Sequence, residues 1–175
     1  MKKAAIVIIV LTAIIGCKSG PTHQASSVAV AIPSPSIVKA TGYVTDEANV
    51  IDESTRKQLE TALAALKERR KIDFSVVTVK STSSQSARDY SLALARDRKK
   101  DSIEQNVSGL LLLVAVDDRN WHIQITRNLE PHLTNEILTK LSTPMTDAFR
   151  QKQFSEGIRK YVNAIIEKLD QLDIH

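Results

Sequence analysis

Cysteine is almost missing from this chain of 175 residues, which carries one, Cys17. A lone thiol excludes an intrachain disulfide framework and a thiolate metal cage. Charge of one sign is also scarce. Twenty-four basic residues face 20 acidic ones, for +4, and setting aside Lys2 and Lys3 leaves 22 against the same 20, or +2. That excess argues against a nucleic-acid binder. The basic runs Lys67-Glu68-Arg69-Arg70-Lys71 and Arg96 to Lys100 are interrupted by acids or short, and read as solvated helix ends opposing the macrodipole. Enzyme templates are missing too. There is no Gly-x-Ser-x-Gly elbow, no Walker loop, no Asp-x-Asp pair and no EF-hand loop. His23, His122, His132 and His175 have no zinc-ligand spacing. No internal repeat is visible, and nothing after Cys17 resembles a second membrane segment or a Gly-rich tail.

What is present begins at the N-terminus. Lys2 and Lys3 precede the apolar run Ala4 to Ile15, which falls short of the ~20 residues of a transmembrane helix. It closes on Ile14-Ile15-Gly16-Cys17. This resembles a bacterial lipoprotein signal, in which a small residue precedes the acylated cysteine. The expectation is a signal peptide over 1–16 and a mature chain starting at lipidated Cys17, anchored by its acyl chains alone. Lys18, rather than Asp, follows the cysteine. By resemblance to enterobacterial sorting, this implies the outer membrane of a Gram-negative cell, facing the periplasm. Residues 17–40, rich in Ser, Thr, Ala and Pro with breaks at Pro21, Pro33 and Pro35, read as a flexible linker spanning ~25–30 Å. Ser26 to Ile32 has strand composition, but Pro33 follows at once, so disorder is the simpler reading.

Residues 41–175 suffice for one domain. Ser54 to Lys67 carries Leu59, Ala62, Leu63 and Leu66 at helical spacing behind Asp52, an expected N-cap. Ile72 to Val79 reads as a strand, and Ala87 to Lys99 as a helix with Tyr90 and Leu94 inward. Leu110 to Val116 is a continuous apolar run, as in a central strand covered on both faces. Asp117-Asp118-Arg119-Asn120 makes a polar turn into the alternating Trp121–Thr126, so a hairpin is expected. Leu133 to Phe149 reads as a helix with Thr134 as N-cap and Leu133 stapled to Leu138, kinked or ended by Pro144. Phe154 to Leu172 is a last helix, buried along Ile158, Tyr161, Val162, Ile165 and Leu169 and slightly weakened by Gly157. The order α-β-α-β-β-α-α predicts an α/β/α sandwich, a small mixed β-sheet with helices on both faces.

A set of segments carries a further resemblance: Gly42-Tyr43-Val44-Thr45-Asp46 and Val50-Ile51-Asp52, then Gly109 to Ala115, then Asp117-Asp118-Arg119, then Leu129-Glu130-Pro131-His132-Leu133-Thr134. Their order resembles the TPM-domain family of bacterial envelope proteins and thylakoid-lumen repair factors. The resemblance implies an α/β/α sandwich. For some members it also implies calcium binding, weak acid phosphatase activity and roles in assembling or repairing membrane complexes. It would pass an acidic pocket to Asp46, Asp117, Asp118 and Glu130. The chain departs from the family pattern in two places. Arg98-Lys99-Lys100-Asp101-Ser102-Ile103 stands where a Trp-Gly-rich segment is usual, and Thr126-Arg127-Asn128 stands where glycines are usual.

Read residue by residue, the four carboxylates have the oxygen chemistry calcium takes. Each also has a plainer reading: turn chemistry for Asp117-Asp118, an Asx-turn or salt bridge for Asp46, a loop acid for Glu130. Arg119 and Arg127 are candidate phosphate-holding cations, and Arg127 would also set a cation beside the pocket. His132, two residues from Glu130, suits a helix cap or surface place better than proton transfer. Two functions follow as expectations. One is a membrane-anchored lipoprotein whose domain binds an envelope protein and maintains a complex, with Ca2+ as a structural or regulatory ion. The other is a weak metal-dependent acid phosphatase with Asp117 and Asp118 on the metal.

Overall fold

Eight elements follow one another: β1 (Val44–Asp46), α1 (Glu53–Arg70), β2 (Ile72–Val79), α2 (Ala87–Asp101), β3 (Ser108–Ala115), β4 (Asn120–Ile125), α3 (Asn135–Arg150) and α4 (Phe154–Asp170). The computed structural model describes residues 42–101 and 108–172, all within the compact unit Pro33–His175. The expected signal peptide and the whole of the expected linker, with its Ser26–Ile32 stretch, lie outside the described residues.

Local chemistry accounts for the helix ends. Asp52 accepts from Thr55 N at 2.8 Å and opens α1. Lys71 closes it in the left-handed region, φ 56, its N–H donating to Lys67 O. Thr134 opens α3 by accepting from Ile137 N at 3.4 Å. Leu133 and Leu138, the expected staple positions, are both buried in the same core. Pro144 does not end α3, which runs on to Arg150. Leu138 and Ser142 before it and Met145 and Ala148 after it are buried, so both halves of the helix are held against the core while Pro144 faces solvent.

The sheet has the order β1-β2-β3-β4. β1 and β2 are parallel, with Val44 opposite Val76 and Asp46 opposite Thr78. β2 and β3 are parallel, with Ile72 opposite Ser108 and Val79 opposite Ala115. β4 turns back antiparallel, with Ala115 opposite Asn120 and Leu110 opposite Ile125. Alternation then sorts the side chains. Val44, Phe74, Val76, Leu110, Leu112 and Val114 pack with α1, α3 and α4 in the main core. Val77, Val79, Leu111, Leu113 and Ala115 pack with Ala87, Tyr90 and Leu94 of α2 alone.

One consequence is topological. Strand order advances in a single direction through β1, β2 and β3, yet α1 and α2 cross on opposite faces. The two β-α-β units therefore have opposite hands, and one of them is the rare left-handed crossover. The loops leaving β1 and β2 depart to opposite faces. Open α/β sheets place ligands where neighbouring strands part in this way, beyond their carboxyl ends.

Candidate functional site

Asp46 stands where those loops diverge, as the last residue of β1. Its Oδ1 accepts from Val50 N at 3.2 Å and from Thr78 Oγ1, and its Oδ2 accepts from Ile51 N at 2.9 Å. This is the Asx-type use of a carboxylate, closing the turn through Asn49, whose φ is 54. Thr78 adds a strand-to-loop tie, since its Oγ1 also accepts from Ala48 N at 3.3 Å.

Asp118 does a similar task one strand over. Its Oδ1 accepts from Ser81 Oγ at 2.7 Å, and its Oδ2 lies 2.8 Å from Thr82 N and 2.9 Å from Thr82 Oγ1. Thr82 Oγ1 has one proton and a second acceptor, Gln85 O, at 2.8 Å. The Thr82 amide first, then the Ser81 and Thr82 hydroxyls, hold the Asp118 carboxyl below the usual carboxylate range. The hairpin is the expected polar turn, and Arg119 takes its left-handed position at φ 50. Asp117 donates its backbone N–H to Lys80 O at 2.8 Å. Its exposed carboxylate has no partner among the described residues.

Asp46, Asp117, Asp118 and Arg119 thus share the carboxyl edge of the three parallel strands. Arg127 and Glu130 do not join them. β4 runs the other way and ends opposite Leu110, so the segment after it starts at the amino edge of β3, some five residues or ~17 Å down the strand. There Thr126 N donates to Gly109 O at 3.0 Å, Gly109 N donates to Thr126 Oγ1 at 3.0 Å, and Glu130 N donates to Arg127 O at 3.3 Å. Gly109 carries no left-handed φ, and a Cβ there would stand 3.3 Å from Asp73 O. Arg127 and Glu130 are exposed, and His132 is half-buried.

Calcium takes six to eight oxygens around one point. Asp46 Oδ1 and Asp118 Oδ2 each already face two donors of the chain itself, and Glu130 belongs to the opposite edge. Among the described residues no group of three or more His, Cys, Asp or Glu side chains gathers as a metal site. The four carboxylates do not close around one ion. The hydroxyls that meet these carboxylates, Thr78 at Asp46 and Ser81 and Thr82 at Asp118, serve the loop ties. His122 is half-buried on the α2 face of β4, where burial first and Arg88 second hold its pKa below the usual value, against a hydrogen bond with Gln124.

Sequence reading did not single out Thr78, Ser81 or Thr82, the hydroxyls that hold the two carboxylates. Their signal was the run Ser81-Thr82-Ser83-Ser84 directly after a strand, and the parity that places Thr78 on the face of Asp46. It also gave no separate weight to Asp73 and Arg96, which meet Arg127 at the amino edge of the sheet.

The family profile described as the TPM domain matches residues 44–168. Among solved structures, the N-terminal domain of a protein from P. gingivalis is 29% identical with a TM-score of 0.66, over 74% of this chain and 83% of that one. The BA42 protein of the psychrophile Bizionia argentinensis is 17% identical with a TM-score of 0.58, over 69% and 82%. The N-terminal domain of cg2496 from Corynebacterium glutamicum is 15% identical with a TM-score of 0.56, over 73% and 79%. The latter two, at such identity, attest the fold alone. No curated protein matches. The α/β sandwich, the order of its segments and the profile over most of the chain agree, and the chain belongs to the TPM-domain family.

Proposed function

We propose that this TPM domain is a non-catalytic module of the bacterial envelope. In this reading Cys17 carries the lipid, the linker lifts the domain off the outer membrane into the periplasm, and the domain binds a protein partner to maintain a membrane complex. The observation that carries the reading is the state of the two best-placed carboxylates. Asp46 and Asp118 hold the loops 47–51 and 81–85 through amide and hydroxyl donors of the chain itself. Catalysis by acid, base or metal needs lone pairs free to meet a reacting group. Recognition needs loops already fixed in shape, because ordering them on binding would cost affinity. The exposed Asp117 and Arg119, in the turn next to loop 81–85, then supply the contact charges.

The test is affinity capture with the full lipoprotein from detergent-solubilised envelopes. One envelope protein should be enriched by the wild type and lost with Asp117→Lys plus Arg119→Glu, whose fold is checked by circular dichroism. Recovery of background proteins alone would sink the reading. Cys17→Ser should release the protein from the membrane fraction, and a variant still bound would remove the anchor. Hydrolysis of a phosphate monoester that disappears in a folded Asp117→Asn variant would establish the phosphatase instead.

A further inference from the structure

The amino edge of the sheet holds a cleft that the carboxylate chemistry leaves unused. It lies between α2 and the near ends of β2, β3 and β4, with a volume of about 360 Å³. That is within the ~300–1,000 Å³ of small-molecule sites. Leu92 and Ala95 of α2 face Leu111 of β3, the aliphatic part of the wall, with Ser75 and Gln124 on the same face of the sheet beside it. Among the described residues one helix covers this face of a four-stranded sheet, which is why apolar wall is left over.

The rim is basic. Asp73 is the acid at the cleft, and it stands 3.5 Å from both Lys67 Nζ and Arg98 Nη2, so the pair of cations outweighs it. Arg98 also donates to Gly42 O at 3.0 Å, which fixes its place. Arg96 from α2 and Arg127 from the segment after β4 border the cleft from two elements. Both are exposed, and neither has an ion pair or hydrogen bond among the described residues. Two exposed guanidinium groups with no carboxylate partner among the described residues, at the mouth of a partly aliphatic slot, match a ligand with an anionic head and an apolar tail.

We infer that this cleft binds an acyl anion, with its chain against Leu92, Ala95 and Leu111 and its head between Arg96 and Arg127. A fatty carboxylate and a lipid phosphate share this chemistry. The site is separate from the carboxyl edge, and its failure would leave the partner-binding reading untouched.

The test uses the unit 33–175, which closes on its own core, titrated below the micelle concentration with decanoate and with decyl phosphate and followed by amide NMR. Saturable shifts should cluster at Ala95, Leu111, Gln124 and Arg127 and leave Asp46 and Asp118 still. Preference for decanoate would identify a fatty-acid source, and preference for decyl phosphate a lipid-phosphate source. Arg96→Gln with Arg127→Gln, both exposed, should weaken binding about tenfold, as each exposed charge contact contributes a few-fold. Decylammonium should not bind. Equal binding of the cation, undiminished binding by the double variant, or shifts elsewhere would overturn the inference. So would binding only of an apolar peptide with a free carboxyl end.

Discussion

Tyr161 is fully buried, and its hydroxyl has no hydrogen-bond partner among the described residues. The ring earns its place by packing, edge-on to Trp121 with centroids 5.6 Å apart at 69°. Burial pushes its pKa up, so the proton stays on, but an unsatisfied buried donor costs about 1–3 kcal/mol. Tyr161→Phe keeps the ring and removes that cost. Urea unfolding should show the variant more stable by ~1 kcal/mol, and a loss of stability would mean the hydroxyl is satisfied in solution. His122 gives a second prediction. Its folded pKa lies below the usual value, so the unfolded chain takes up the proton first as pH falls. Its contribution is intact above ~6.5 and is lost as pH drops through that value toward the lower folded one. The stability difference between wild type and His122→Gln should therefore change between about pH 7 and pH 5. A difference independent of pH would refute the assignment. At this scale the sequence was readable where a residue acts on its own neighbours. Asp52 and Thr134 cap their helices as their positions in the chain require. It was not readable where the partner is remote. Asp52 also meets Ser155, 103 residues away, and that contact is the first cause of its lowered pKa.

At the scale of elements, α3 and α4 tolerate residues that helices resist. Pro144 cannot donate to the carbonyl of Lys140, a defect that costs ~3 kcal/mol in a helix interior. Restoring the amide also frees the unfolded chain, which offsets up to ~1 kcal/mol. Pro144→Ala should thus stabilise the domain by about 1–2 kcal/mol in denaturant unfolding, and no gain would mean that α3 is adapted to the proline. Gly157 is the reverse case. A Cβ there would come within 2.9 Å of Phe149 Cε1 and 3.1 Å of Ala148 Cβ, so the glycine lets α4 approach the end of α3. Gly157→Ala should lower stability by ~1 kcal/mol or more, overpacking outweighing the helix propensity gained. From the sequence, Gly157 showed only its propensity cost, because the Phe149 ring reaches it through tertiary packing. β1 was missed for a related reason. Three residues hold too little periodicity, and the strand exists through its register with β2.

For the whole molecule, the layers were legible because each long element shows its period. The strand order was not, and it decides which loops share an edge; the expected hairpin, by contrast, already implies that Glu130, after β4, lies at the far edge from Asp117, as the antiparallel register has it. The loops of the carboxyl edge are held by the chain's own amides and hydroxyls. Chelation with EDTA should therefore leave the melting temperature of the domain unchanged, and a clear drop would show an ion within the fold. No helix among the described residues is long and apolar enough to cross a membrane.

The unequal cover of the sheet has a consequence for how the domain opens. Among the described residues α1, α3 and α4 share a core of 21 buried residues, whereas α2 rests on a cluster of eight, its own included, so lifting α2 exposes far less apolar surface. Hydrogen exchange should find α2 releasing its amides well before α4. The domain then breathes on one side only, with the heavier three-helix layer acting as the spine that stays closed.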